Sequence, residues 1–389
     1  MKILLWLLAA TAFAQSPAGS FLGMLKTPVG EMRVGFVVER TGEAWTAQLV
    51  SLDQGSVKLK ASEVKLEGTK ITFSFPQAMA SFSGEFSADF SRLEGQFTQG
   101  VAIPLAMRRV EAFAPPKRPQ TPLPPFPYQS EEVRFPGGAE GVTLAGTLTK
   151  PNAPGPHAAL ILLSGSGQQD RDETLLGHKP FLVLAHALTQ AGYLVLRYDD
   201  RGTAASTGTF TGATSADFAK DVAGAVNFLR QRAEVDKQRI ALLAAPAIKG
   251  EPLLRKQLLD LAMAAGLPQE RANIQASLAM TQMMNKAMTD PWLTYFLDYD
   301  PAPALGKVKC PVLALNGALD MQVNADINLG AIRAALPKAE TKKLEGLNHL
   351  FQTARTGGSQ EYGSIEETFA PQAIEEIKLW LQRVLPAKP

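Results

Sequence analysis

The sequence predicts an α/β domain, with a mostly parallel sheet carrying helices on both faces, preceded by a small antiparallel all-β domain. Three observations carry this expectation. Downstream of residue 130, apolar runs such as "ALILLSG" and "YLVLRYDD" are continuous rather than alternating, as strands buried on both faces require. Segments of helical spacing stand between them, the pattern of strands joined by crossovers. Upstream, apolar and polar residues alternate with period two in short segments, the mark of a half-buried antiparallel sheet.

The elements follow in order. The chain has 389 residues, enough for one large domain and a smaller one. It opens on "MKILLWLLAATAFAQS": one lysine, a short apolar run and small residues at Ala12 and Ala14. That is the pattern of a secretory signal covering residues 1–14, so an exported protein beginning near Gln15 is expected. The apolar run falls short of the roughly 20 residues a spanning helix needs, and no later segment is apolar enough either. Residues 15–110 hold the alternating segments "EMRVGFVVER", "AWTAQLVSL", "SVKLKASEVKLEG", "KITFSF", "ASFSGEFS" and "RLEGQFTQG", a β-rich accessory domain with no cluster of catalytic residue types. Residues 111–130 are dense in proline, which disfavours helix and central strand and reads as a semi-rigid linker.

The α/β domain is expected over 131–389. Strands are expected at "ALILLSG", "YLVLRYDD", "RIALL", "PVLALNG" and "ETKKLEGL". Helices are expected at "PFLVLAHALTQAG", at "SADFAKDVAGAVNFLRQRAEV" with Ser215 as its cap, at "NLGAIRAALPK" and at "PQAIEEIKLWLQRVL". A helical lid is expected at about 252–290. Charged residues are 20% of the chain and the formal net charge is +2, an imbalance too weak to imply nucleic acid or a membrane surface. The single cysteine, Cys310, cannot form an internal disulfide and is expected to be a buried spectator.

In such a domain chemistry belongs at the carboxyl ends of the strands. After the first run stand Ser164, Gly165, Ser166 and Gly167, where glycine lets backbone N–H groups converge on an oxyanion; any Gly-Ser turn looks similar. After the second come Asp199, Asp200 and Arg201, a set that more often locks a loop than performs catalysis. There Ala204–Gly208 imitates a G-x-S-x-G elbow around Ser206, but it leads into a polar loop, whereas an elbow needs an immediate strand-to-helix turn. Asp320 lies just past "PVLAL" and His349 in a loop after the last strand. An acid there can orient an imidazole. Of the other histidines, His157 falls in a Pro/Gly turn, His178 in a loop and His186 on a helix.

Taken together, "SGSGQQDRDE", "HKPFLVLAHAL", "RYDDRG", "STGTF", "YDPAPAL", "KVKCPVLALNGALDMQV" and "LNHLFQTARTG" resemble the α/β-hydrolase domain of EstD-type bacterial carboxylesterases, akin to serine aminopeptidases of the S33 kind. The resemblance runs from about Val133 to the C-terminus. It implies Asp320 as triad acid, His349 as general base, and Ser166 with Gly167 in the oxyanion hole. It implies an acyl-enzyme mechanism on a small-molecule ester, with no metal or organic cofactor; oligomeric state stays open. The chain departs from that family at one place. "RIALL" should run into a G-H-S-x-G-G elbow, a helix and another strand, but Leu243 is followed at once by Ala244, Ala245, Pro246, Ala247 and Ile248. One βα unit is therefore expected to be deleted after residue 243, and the nucleophile serine with it. Three readings remain: an esterase by descent that is catalytically impaired, a hydrolase using Ser166 or Ser206, or a non-catalytic binding protein.

Overall fold

The computed structural model describes residues 16–27, 30–53, 57–114, 116–244, 277 and 289–387. The expected signal segment 1–14, nearly all of the expected lid at 252–290, and the residues just after Ala244 lie outside these. The chain divides into two compact units, Met1–Pro116 and Lys117–Pro389.

In the first unit, period-two alternation becomes nine antiparallel strands. They are β1 (Gly19–Thr27), β2 (Gly30–Thr41), β3 (Ala44–Ser51), β4 (Val57–Lys60), β5 (Glu63–Glu67), β6 (Lys70–Phe75), β7 (Ala80–Phe86), β8 (Arg92–Gln99) and β9 (Val101–Val110). Their order is β4-β3-β2-β1-β9-β8-β7-β6-β5. The edge strands β4 and β5 are joined through Ala61 and Ser62, whose N–H groups donate to Ala47 O and Ser74 O at 2.9 Å each, so the sheet curls toward a barrel. On β6, Ile71, Phe73 and Phe75 are buried while Lys70 and Thr72 face out. The inward faces meet in one core: Phe36 packs against Phe73 at 5.0 Å and Phe82 at 4.9 Å between ring centroids. Aromatic edge-to-face packing of this kind adds about 0.5–1.5 kcal/mol per pair beyond burial. Strands β1 and β9 were not among the segments read from alternation; β9 carries Pro104, which lacks a ladder donor.

Among the described residues, the second unit holds a five-stranded sheet ordered β10-β11-β13-β12-β14, from β10 (Gln129–Pro136), β11 (Thr143–Lys150), β12 (His157–Leu163), β13 (Leu194–Tyr198) and β14 (Val235–Ala244). Over those residues this sheet is mixed, so the expected mostly parallel pairing is not confirmed. β13, β12 and β14 run parallel, but β10 pairs antiparallel with β11 and β11 with β13. The reason is the connection: β10 and β11 are joined by the short turn 137–142, and a parallel pairing needs a crossover of a dozen or more residues.

Both faces of the sheet are covered. Alternate residues of β12 divide between them. Ala158, Leu160 and Leu162 pack with Val183, Leu184 and Leu188 of α1 (Pro180–Gln190) and with Ala373 and Leu381 of α6 (Pro371–Val384). Ala159 and Ile161 pack with Ala225 and Leu229 of α2 (Ser215–Gln231). Ser215 is the first helical residue rather than the cap. Thr214 caps α2, its backbone N–H received by the Asp217 carboxylate at 3.1 Å, because the capping box needs the acid three residues on. Short helices α3 (Pro291–Asp298) and α4 (Ala302–Leu305) precede β15 (Leu313–Gly317), α5 (Ala325–Ala335) and β16 (Glu340–Leu344).

Strands β15 and β16 form a separate parallel pair, and β14 is the last strand of its own sheet among the described residues. β14 is also the least buried of the three parallel strands of that sheet: Leu242 is 50% exposed, whereas Leu160 of β12 is fully buried. Two smaller expectations fail as well. Cys310 is exposed, because β15 begins only at Leu313 and the thiol sits in the loop before it. His157 is the first residue of β12 rather than part of a turn.

Candidate functional site

β15 ends at Gly317 and Asp320 follows in the loop, its side chain 5% exposed. Its carboxylate accepts four hydrogen bonds. Gln322 and Val323 N–H donate to Oδ1 at 2.8 and 2.7 Å, and Asn316 Nδ2 donates to Oδ2 at 3.0 Å. The fourth donor is His349 Nδ1, 2.9 Å from Oδ2. A carboxylate accepts only, so Nδ1 carries a proton, and in the neutral imidazole the lone pair is then on Nε2. Asn316 is itself oriented by Asn328, whose Nδ2 donates to its side-chain oxygen at 2.8 Å. His349 sits in a tight turn fixed by buried Asn348, whose side-chain oxygen takes the Leu350 and Gln352 N–H groups. Phe351 supports the turn in a left-handed conformation, φ 56°.

The second part of the site is the loop after β12. Ser164 Oγ donates to Asp200 Oδ1 at 2.7 Å, and Gln169 N–H donates to Oδ2 at 3.0 Å. Burial pushes the Asp200 carboxyl up to about 6 against the pull of these two bonds. Gly167 adopts φ 95°, open to glycine and strained for other residues. Ser166 and Gly167 are exposed, and among the described residues their N–H groups meet no acceptor. Each member of "DRDE" has a partner. Asp170 takes the Asp172 and Thr174 N–H groups at 3.0 Å each, Arg171 grips Asp199, Asp172 pairs with Arg197, and Glu173 takes the Gly165 N–H at 2.8 Å.

Arg201 does not face this loop. It forms a buried bidentate pair with Asp221, Nε at 2.6 Å and Nη2 at 2.8 Å, and Asp221 also holds the Gly138 N–H at 2.7 Å. Ser206, the elbow look-alike, is buried and fully engaged: Oγ donates to Asp199 O at 2.7 Å and accepts from Ala145 N–H at 2.9 Å. Ser206→Ala is expected to destabilise the fold by about 1–3 kcal/mol, since it leaves a buried N–H unpaired, while leaving any ester turnover unchanged. Urea unfolding paired with a p-nitrophenyl butyrate assay checks both halves; an unchanged unfolding midpoint would refute the structural role.

The remaining histidines are structural. His178 is buried, donates from Nε2 to Tyr362 O at 2.9 Å and accepts from the Thr368 hydroxyl at 3.0 Å; burial lowers it to about 4. His186, on α1, has its Nδ1 3.1 Å from the Tyr128 hydroxyl and lies beside a groove of about 300 Å³ lined by Gln190, Ile374, Glu375 and Lys378. That groove is built from α1 and α6 and contains none of the site residues above. No group of metal-ligating residues occurs among the described residues, and no described helix is long and apolar enough to cross a membrane.

Sequence reading missed Glu173, Asn316 and Asn348. Asn316 and Asn348 carry no signal beyond their positions beside the acid and the histidine. Glu173 is the last residue of the motif quoted for the family resemblance, which could have marked it.

Comparison with known proteins adds one relative. Esterase EstD of Thermotoga maritima is 25% identical over 276 residues, 61% of this chain and 65% of that protein. In sequence, the chain is similar to an esterase. It spans just under two thirds of that relative's length. No family model matches. Among solved structures, the Pyrococcus furiosus esterase Pf2001 overlaps 71% of this chain and all of its own, at 14% identity and a TM-score of 0.44. An esterase from Thermogutta terrifontis overlaps 65% of this chain and 99% of its own, at 15% identity and a TM-score of 0.39. Est1E of Butyrivibrio proteoclasticus, solved with ferulic acid, overlaps 65% and 99%, at 14% identity and a TM-score of 0.41. These overlaps fall below a TM-score of 0.5 and do not decide the fold.

Proposed function

We propose that the protein is an ester hydrolase by descent that keeps the acid, the base and the oxyanion loop but lacks the nucleophile in position. The Asp320–His349 pair carries the reading. An imidazole fixed by a buried, four-times-bonded carboxylate and left with Nε2 free is what a general base requires. The Ser166–Gly167 loop supports it by leaving backbone donors free for a developing oxyanion. Similarity to Esterase EstD supports an ester as substrate class. In a complete site, His349 would take a serine proton, an acyl-enzyme would form, and water would release the acid.

Two observations support loss of the nucleophile. The five residues after Leu243 have no hydroxyl or thiol, and β14 carries the half-exposed Leu242 where a fully covered strand would bury it. Ser206 is engaged in the fold and Ser166 is exposed with no base bonded to it, so neither supports a substitute. Sequencing the gene across the codons for Leu243 and Ala244 tests the reading: an in-frame G-x-S-x-G segment there would overturn impairment. A second reading, a secreted binding protein, is favoured by the same exposed donors. Saturable binding of p-nitrophenyl butyrate without hydrolysis would support it. Export remains a proposal from the N-terminal residues; a purified protein that retains Met1 after expression in a secreting host would count against it.

A further inference from the structure

Glu173 is a titratable group of the site that the ester-hydrolysis reading does not use. It lies in the loop between β12 and α1 and is held at φ 52°, a left-handed conformation that non-glycine residues rarely keep without a reason. The loop around it is pinned on three sides: Arg171 to Asp199, Asp172 to Arg197 and Lys179, and Asp170 to its own backbone. Glu173 is thereby delivered to the Gly165 N–H at 2.8 Å, while Asp200 holds the same loop from the other side through Ser164 Oγ and Gln169 N–H. Gly165 N–H is thus occupied, and Ser166 and Gly167 carry the next two donors along the chain.

We propose that Glu173 is a positioning residue for the Ser164–Gly167 loop: its carboxyl takes the Gly165 N–H so that the Ser166 and Gly167 N–H groups are the pair left for an anion, and its charge state sets whether they receive one. This rests on the oxyanion-loop reading above. The electrostatics agree. Burial is the main cause that pushes Glu173 up to about 7; Asp200 and Asp170 push it the same way, while the Gly165 bond and His349 oppose. Near neutrality the carboxyl therefore changes between neutral and negative beside the donors. The neutral form tolerates an anion at Ser166 and Gly167, and the ionised form repels it.

Labelling with carbonyl-13C serine and 15N glycine tests this on the intact chain, because Ser–Gly pairs occur only at Gly84, Gly165 and Gly167. Between about pH 5 and pH 9 the Gly165 amide shift should titrate with a midpoint of about 7, and Gly84 should stay flat. Glu173→Gln keeps an acceptor oxygen and removes the charge, so the Gly165 step near 7 should vanish, leaving only the smaller step near 6 that Asp200 contributes through Ser164, with exchange protection retained within about threefold. Glu173→Ala should accelerate Gly165 exchange about tenfold, the worth of one lost hydrogen bond. Sodium butyrate should shift Gly167 more at about pH 6 than at pH 8 in the native chain, and that difference should shrink in Glu173→Gln to the part that Asp200 contributes. A Gly165 step near 7 that is absent in the native chain, or that survives Glu173→Gln, overturns the positioning role. No butyrate-dependent shift at Gly167 at either pH overturns the anion role. None of these readouts needs turnover, so failure of the esterase reading would show separately, as missing hydrolysis with the Gly165 titration intact.

Discussion

His349→Ala is expected to change the residual p-nitrophenyl butyrate hydrolysis of the native chain by less than about threefold. The same substitution should cost roughly 10⁴- to 10⁶-fold in a version carrying a G-x-S-x-G segment inserted between Leu243 and Ala244. Triad members act as a unit: once the nucleophile is missing, the base has no proton to take, and its removal adds little. The geometry fixes which residue is at stake. His349 Nδ1 is bound to Asp320 at 2.9 Å, so its free Nε2 alone can act as base. A large loss on mutating His349 in the unmodified chain would mean that a nucleophile or an activated water is already in place.

Asp221→Ala carries the second large effect, this time on stability. Asp221 is 2% exposed and Arg201 6%. The carboxylate takes two guanidinium donors and the Gly138 N–H. Removing it leaves a buried guanidinium without its counter-charge and a backbone donor without its acceptor, for a cost of about 3–5 kcal/mol. In a unit of this size that lowers the melting temperature by roughly 10 °C. Arg201 also donates to Asp217 O at 3.1 Å, so part of its hydrogen bonding survives. Calorimetry on both proteins decides: a shift below about 2 °C would show that the pair contributes only what a surface ion pair does.

How much of this was legible in the sequence depends on the element. β12 and β13 announced themselves because a strand covered on both faces must be continuously apolar, and Leu160 and Leu196 are indeed fully buried. β10 and β11 did not. "EEVRFP" alternates, and only the turn at 137–142 shows that it pairs antiparallel with its successor. Asp320 and His349 were read as an acid and a base from their places after strand ends, and the structure brings His349 Nδ1 to 2.9 Å from the Asp320 carboxylate. Their supports, Asn316 and Asn348, were invisible because a buried asparagine looks like any loop residue until its partners are known. Cys310 was misplaced for a local reason: the apolar run that follows it does not become strand until Leu313. Ser206 shows the converse. A five-residue likeness to an elbow is spent on bonds to Asp199 O and Ala145 N–H that tie β11 to the loop after β13.

The acid, base and oxyanion loop without a nucleophile form the central claim, and covalent labelling tests it most directly. The purified chain is incubated with a fluorophosphonate probe and p-nitrophenyl butyrate, and adducts are mapped by tandem mass spectrometry. The expected result is no serine adduct, with hydrolysis roughly 10⁴-fold or more below that of a chain carrying the inserted elbow. A stoichiometric adduct on Ser166, Ser206 or any other serine, with turnover lost in proportion to labelling, would contradict it.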